Sequence, residues 1–127
     1  MEIVGNGVDI IKNSRIKNLI KNPKFLSRIF SVNEIKDSKK IKNKTNFFAK
    51  RFAAKESLSK ALGTGFRKNL NYKDIEILND KLGKPYYYVS PKIKKIINKR
   101  FKVKKFNLFL SISDEKDYSV EFTILQV

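Results

Sequence analysis

The sequence predicts an α+β domain whose strands run mostly antiparallel. Three observations carry that prediction. Apolar residues alternate near both ends of the chain and again around residues 72–90, the period of half-buried strands. Between those segments they recur every three or four positions, the period of helices that bury one side. The later strand segments also come in pairs joined by short turns, Asn79-Asp80-Lys81-Leu82-Gly83-Lys84-Pro85 and Asp114-Glu115-Lys116-Asp117, which makes them hairpins. A chain of 127 residues suffices for one domain with a real core, here residues 1–127, and is too short for two ordinary ones. No linker and no internal repeat interrupts it.

Residues 1–11 carry Ile3, Val4, Val8, Ile10 and Ile11 around Gly5 and Gly7, and read as a buried or half-buried strand. The glycines suggest a bulge or a close backbone approach. Asp9 sits among these apolar residues. It either caps the turn at the strand end or is a core acid that needs a partner or a metal ion.

Ser14 is expected to cap a short helix over 15–21, with Ile16, Leu19 and Ile20 on one side, broken by Asn22-Pro23. Phe25, Leu26, Ile29 and Phe30 supply another helical turn or two. Ser31-Val32-Asn33-Glu34 matches a capping box, opening a helix that fades into the basic run 36–44, an exposed and mobile face. Thr45 is expected to cap a long helix with Phe47, Phe48, Phe52, Leu58 and Leu62 as its core stripe and Gly63 as its C-cap. After a loop over 63–71, residues 72–78 read as a strand with Ile75 and Ile77 pointing one way, and 86–90 as its return. Ser90-Pro91 starts a helix, with Pro at the first helical position and Ile93, Ile96, Ile97 and Phe101 on its buried face. Residues 106–113 and 118–127 close the chain as a strand pair.

Composition narrows the chemistry. Without a cysteine there are no disulfides and no thiolate chemistry, which fits a reducing compartment such as the cytoplasm. Without a histidine there is no imidazole base and no imidazole metal ligand. Acid–base or metal chemistry falls to the 12 carboxylates, the lysines, the tyrosines or water. The N-terminal stretch has an acid at position 2 and no basic region ahead of an apolar one, unlike a signal peptide. No apolar run approaches the ~20 residues of a membrane span. The formal charge of +17 points to an anionic partner: nucleic acid, a membrane surface, phosphorylated ligands or an acidic protein. Because the lysines are spread along the chain beside many Asn and Ile, a compositional bias with a solvated background of charge accounts for the +17 equally well.

Residues 51–66, RFAAKESLSKALGTGF, hold the densest chemistry. Glu56 and Lys60, four apart, share one helix face. Such a pair is ordinarily a solvated ion pair worth ~0.3–0.5 kcal/mol. With the small residues Ala53, Ala54, Ser57 and Ser59 around it, the same pair also suits an open surface where a carboxylate and an ammonium hold a metal ion and a phosphate together. Gly63-Thr64-Gly65 follows its helix, so it is not a P-loop.

Taken together, Gly7-Val8-Asp9-Ile10, Arg51-Phe52-Ala53-Ala54-Lys55-Glu56, Lys60-Ala61-Leu62-Gly63-Thr64-Gly65, Gly83-Lys84-Pro85 and a last strand similar to V-S-I-S resemble the holo-acyl-carrier-protein synthase family, the small bacterial 4′-phosphopantetheinyl transferases. The resemblance spans nearly the whole chain. It implies the transferase fold, a mostly antiparallel sheet packed on a long helix and shorter helices. It also implies transfer of the phosphopantetheine arm of coenzyme A to a serine of apo-acyl carrier protein, releasing adenosine 3′,5′-bisphosphate, in support of fatty acid biosynthesis.

By the same resemblance Asp9 and Glu56 hold Mg²⁺, with Mn²⁺ as an alternative, and Lys60 neutralises a phosphate oxygen. Those residue types suit such roles, since Mg²⁺ prefers one or two carboxylates plus water and phosphate oxygens, and lysine is a compact point charge. Ser59, Gly63, Arg51, Gly83, Lys84 and Pro85 match coenzyme A-binding positions, with Arg51 and the Gly83-Lys84-Pro85 turn at the adenine and 3′-phosphate. The family acts as a homotrimer with sites in clefts between subunits. Its acidic acceptor docks on the first helix, where Arg15 matches a basic contact and Lys21, Lys24 and Arg28 add to it. Three positions depart from the pattern: Lys12 replaces a Glu, Phe109 stands where His is frequent, and Asp114 where a second His sometimes occurs. Two other readings are a nucleic-acid-binding module, suggested by the charge and the aromatics, and a catalytically dead trimer that only binds acyl carrier protein. Under the transferase reading neither nucleic acid nor membrane is a partner.

Overall fold

The computed structural model describes residues 1–67 and 69–127. Lys68, inside the expected 63–71 loop, lies outside the described residues. Strand β1 (Ile3–Lys12) leads into three short helices, α1 (Asn13–Leu19), α2 (Pro23–Ile29) and α3 (Val32–Ser38), and then the long helix α4 (Lys44–Leu62). A single 3-10 turn (Tyr72–Asp74) precedes the hairpin β2 (Glu76–Asn79) and β3 (Pro85–Tyr88). Helix α5 (Pro91–Phe101), β4 (Asn107–Asp114) and β5 (Tyr118–Gln126) complete the chain. The three-stranded sheet has the order β1-β5-β4, β2 pairs with β3 separately, and every pairing is antiparallel. The α+β expectation with mostly antiparallel strands therefore holds.

Helix α4 is enclosed on several sides, not along a single stripe. One flank lies on the sheet, whose inner face is built from alternate residues: Gly5, Gly7, Asp9 and Ile11 of β1, and Ser119, Glu121, Thr123 and Leu125 of β5. The glycines set the spacing. A Cβ on Gly7 would stand 2.0 Å from the Ser57 carbonyl oxygen, and one on Gly5 2.1 Å from that of Ala61. Ser57 Oγ also lies 2.6 Å from Thr123 Oγ1 across this contact. Ala53, Ala54, Ser57 and Ser59 are accordingly buried against the protein itself. That corrects the expectation of an open ligand surface: the small side chains let helix and sheet approach, with glycine opposite.

Two cores flank the helix. Its first half packs Phe47, Phe48 and Phe52 with Ile11, Ile16, Ile29 and Phe30. Its second half packs Leu58 and Leu62 with Leu70, Ile75, Ile77, Ile93, Ile97 and Leu125. The even-numbered face of β1 points outward instead. Val8 and Ile10 are exposed there beside Phe122 of β5 and Phe109 of β4, leaving an uncovered apolar sheet face.

Several boundaries differ from the sequence reading, each for a local reason. Asn43 caps α4, its side chain accepting from the Asn46 N–H, so the helix begins before Thr45. Helix α1 starts at Asn13 without a side-chain cap. Asn13 is buried instead, donating to the carbonyls of Glu115 and Lys116 and accepting from Ser119 Oγ, which staples the β1 exit to the β4–β5 turn. Asn22 caps α2 with Pro23 in its first turn. The capping box Ser31/Glu34, the Ser90 cap of α5 and the left-handed Gly63 C-cap (φ 75°) all stand as expected. Residues 39–44 are exposed, and Lys44 Nζ donates to the Ser38 and Ile41 carbonyls at the end of α3.

Candidate active site

Glycines 5 and 7 bring β1 onto α4 so closely that the next inward residue, Asp9, meets the side chain of Lys60. Lys60 Nζ donates to Asp9 Oδ1 at 3.0 Å and to the Val8 carbonyl at 2.9 Å. The lysine side chain is half exposed (51%) and that of Asp9 mostly covered (16%), so the pair sits at the rim of the helix–sheet contact. The i,i+4 ion pair between Glu56 and Lys60 does not form. Glu56 instead accepts from the Tyr72 hydroxyl, Oη to Oε1 2.5 Å. The reason is geometric: each group finds a partner held in place by tertiary packing, which a solvent-facing pair on one helix does not match. Burial, as the leading cause, and then Glu56 and Asp9 push the Tyr72 phenol up.

Tyr72 and its support are what sequence reasoning missed. The alternation places residue 72 at the start of a strand, but residues 72–74 form a 3-10 turn and the strand begins at Glu76. The turn is fixed by Lys55, a fully buried lysine whose Nζ donates to Glu34 Oε1 (2.7 Å), to the Tyr72 carbonyl (3.1 Å) and to the Ile75 carbonyl. Burial pulls the Lys55 ammonium down from its ordinary range while Glu34 opposes that shift. Glu34 is also buried, and it accepts from the N–H groups of Ser31 and Ile77. A lysine next to Glu56 in sequence and a glutamate in a capping box are the only signals, and neither reveals the other.

Each carboxylate keeps one oxygen free of protein donors. Among the described residues, Oε2 of Glu56 and Oδ2 of Asp9 accept no protein hydrogen bond. No group of three His, Cys, Asp or Glu that could hold a metal occurs among them. A divalent ion would therefore take at most these two carboxylates and draw its remaining oxygens from water and substrate, which suits Mg²⁺ or Mn²⁺ and does not suit a closed cage. Ser59 is buried, its Oγ donating to the Glu56 carbonyl at 2.7 Å.

The other expected residues fall into separate groups. Arg51 precedes Glu56 by five positions, about 140° around the helix axis, so the two cannot share a face. Arg51 is buried with its guanidinium 3.8 Å from the Phe47 ring, and its Nη2 donates to Asn79 Oδ1 at 2.6 Å. It lines a cavity of about 470 Å³ with Asp37, Lys40, Phe47, Asn79 and Gly83. The Gly83-Lys84-Pro85 turn is drawn tight by Asp80, whose Oδ1 accepts from the N–H groups of Leu82 and Lys84. Arg51 and Gly83 are thus together, while Asp9 meets Lys60 and Glu56 meets Tyr72. Arg15 stands exposed on α1, Lys21 in the turn after it, and Lys24 and Arg28 one turn apart on α2. Of the three departures, Lys12 and Phe109 are exposed, and Asp114 accepts from Asn46 Nδ2 at 2.6 Å.

Glu121 is a further buried acid that sequence reasoning passes over. It stands directly across the ladder from Asp9, and neither carboxyl oxygen has a hydrogen-bond partner. Burial first, then Asp9 and Asp114, push its carboxyl up to about 9, with Lys50 opposing.

Residues 5–123 match the family model described as the 4′-phosphopantetheinyl transferase superfamily. A holo-[acyl-carrier-protein] synthase of Pelagibacter ubique is 62% identical over 126 residues, covering 99% of this chain and 98% of that protein. Among solved structures, the Neisseria meningitidis holo-[acyl-carrier-protein] synthase superposes with a TM-score of 0.87 at 34% identity, covering 99% of this chain and all of that one (100%). The Bacillus anthracis synthase, solved in complex with coenzyme A (3′,5′-ADP), gives 0.80 at 39% identity over 98% of this chain and 96% of that one.

Proposed function

The chain belongs to the 4′-phosphopantetheinyl transferase superfamily, among the holo-acyl-carrier-protein synthases, and from that premise we propose how its residues divide the reaction. It transfers the phosphopantetheine arm of coenzyme A to a serine of apo-acyl carrier protein, releasing adenosine 3′,5′-bisphosphate, in support of fatty acid biosynthesis. Asp9 and Glu56 hold Mg²⁺, or Mn²⁺ in its place, through the carboxylate oxygens that face no protein donor. When bound, the ion orients a diphosphate and offsets negative charge on the leaving phosphate.

Lys60 does the complementary work on the substrate. Its half-exposed ammonium swings from Asp9 Oδ1 to a phosphate oxygen, and the mostly covered Asp9 carboxylate then keeps the ion as its counter-charge. Ser59 and the left-handed Gly63 cap shape the backbone beside it. With no histidine in the chain, the proton of the acceptor serine goes to Glu56 or to water. The observation that supports this reading is the contact of Asp9, from the first strand, with Lys60, one turn beyond Glu56 on α4.

Arg51, Gly83, Lys84 and Pro85 receive the adenine and 3′-phosphate. Because that cavity opens on a different flank of α4 from Glu56, a complete site takes one cluster from each of two neighbouring subunits. The uncovered apolar face of Val8, Ile10, Phe109 and Phe122 supports the homotrimer this requires. The basic residues Arg15, Lys21, Lys24 and Arg28 steer the acidic acceptor. No helix among the described residues is long and apolar enough to cross a membrane. Together with the absence of cysteine, that supports a cytoplasmic setting.

The test is the mass of apo-acyl carrier protein after incubation with this protein, coenzyme A and Mg²⁺. Addition of the phosphopantetheine mass is expected, with loss of that shift on adding a chelator and in Asp9→Asn and Glu56→Gln. A full shift in either variant overturns the ion assignment.

A further inference from the structure

Tyr72 touches the candidate centre without belonging to any of the roles above, and its placement is over-determined. Its Oη donates to Glu56 Oε1 at 2.5 Å. Its ring is sandwiched between Phe66, 3.7 Å away at an interplanar angle of 18°, and Phe52, 5.5 Å away at 16°. Phe66 follows the Gly63-Thr64-Gly65 loop, and Phe52 lies one turn before Glu56 on α4. The Tyr72 carbonyl accepts from Lys55, which is itself buried and paired with Glu34. Ring, backbone and hydroxyl are thus tied to the same stretch of α4 that carries Glu56, so the phenol cannot follow the carboxylate if it rotates.

We propose that Tyr72 is a positioning residue for the divalent-ion site, holding Oε1 of Glu56 so that Oε2 alone is offered to the ion. This rests on the reading of Asp9 and Glu56 as the ion-binding pair. A phenol is protonated at neutral pH and donates its one hydrogen. A carboxylate oxygen that accepts it is held in direction, and the opposite oxygen, which accepts no hydrogen bond among the described residues, is left for the ion. Ligating carboxylates oriented in this way typically lose 10–100-fold in metal affinity when the orienting partner is removed. Alone, a glutamate side chain samples many rotamers and offers either oxygen, or both at once. The aromatic sandwich makes the orientation available before the ion arrives, because the donor is in place through packing alone.

The test is Mn²⁺ binding to the full-length protein with coenzyme A present, followed by electron paramagnetic resonance and titration calorimetry. Wild type, Tyr72→Phe, Phe66→Leu and Glu56→Gln are compared. Tyr72→Phe keeps the stacked ring and removes only the hydroxyl. We expect its Mn²⁺ dissociation constant to rise 10–100-fold and the bound-ion spectrum to change, while the melting temperature without ion stays that of wild type. Phe66→Leu, which keeps the hydroxyl and loosens the ring, weakens binding by a smaller factor. An unchanged affinity and spectrum in Tyr72→Phe overturns the role of Tyr72 while leaving the ion site intact. So does a drop in affinity matched by a drop in ion-free melting temperature, because that marks a merely structural contribution. Absence of Mn²⁺ binding in wild type, or normal binding in Glu56→Gln, overturns the ion-binding pair itself and this inference with it.

Discussion

Replacing Lys55 by Met tests the frame that holds the site. The thioether chain matches the lysine stem in bulk, so the perturbation is the loss of the ammonium. Three acceptors lose their donor: Glu34 Oε1 at 2.7 Å, the Tyr72 carbonyl at 3.1 Å and the Ile75 carbonyl. Glu34, with no solvent exposure, keeps only the Ser31 and Ile77 N–H groups against its charge. Hydrogen bonds to a charged donor contribute about 1.5–3 kcal/mol each, and breaking a buried pair from one side costs about 3–5 kcal/mol. We expect a loss near ~4 kcal/mol, a large part of a typical domain's stability.

Urea unfolding at one fixed protomer concentration measures it, since assembly makes apparent stability depend on concentration. The double variant Glu34→Gln/Lys55→Met removes the stranded charge and is expected to be more stable than Lys55→Met alone, with a coupling of about 0.5–3 kcal/mol. A Lys55→Met cost below about 1 kcal/mol, or additive single changes, refutes the claim that this pair ties α3, the 3-10 turn and β2 to α4.

Three further outcomes follow from the same geometry. Gly7→Ala places a methyl 2.0 Å from the Ser57 carbonyl oxygen and 2.7 Å from the Ala61 nitrogen, both backbone atoms that cannot give way cheaply. A cost of at least about 1–3 kcal/mol in chemical denaturation is expected, whereas Gly83→Ala, with nothing within 4 Å but a left-handed φ of 87°, acts through backbone strain alone. Glu121→Gln reports on pH. The fold holds the Glu121 proton up to about 9, while the unfolded chain releases it near the ordinary value of 4.5, so this group's contribution to stability falls as pH rises between those values. Glu121→Gln is expected to flatten that slope and to melt higher than wild type at about pH 8 but not at about pH 4, by on the order of 1–3 kcal/mol. A steeper slope in the variant contradicts the buried, unpartnered carboxyl. Last, Arg15→Glu with Arg28→Glu should raise KM for the acidic acceptor about 10-fold at low salt and leave kcat nearly unchanged, with the difference shrinking as salt is added. A change confined to kcat tells against docking on α1 and α2.

What the chain settles locally is legible without coordinates. The Ser31/Glu34 capping box, the Ser90-Pro91 start and the Gly63 cap depend on neighbours within four residues, and each forms as expected. The paired Ile75 and Ile77, the final hairpin and the α+β order follow from periodicity for the same reason. Asp9, Glu56 and Lys60 stand out only through the family resemblance, because spacing alone reads the Glu/Lys pair as a solvated ion pair and Asp9 as a turn cap. Their partners are not visible. That Lys60 chooses Asp9 over Glu56, that Glu56 chooses Tyr72, and that Lys55 is swallowed whole by Glu34 are decided by contacts between residues 16 to 51 positions apart. The Lys60–Asp9 contact exists only once glycine on β1 meets Ala and Ser on α4, and the other two only once α3 and the 3-10 turn pack on that helix. Helical spacing says which side chains share a face. The packing of the finished fold decides which of them water can still reach, and a charge that water cannot reach takes whatever partner the packing supplies.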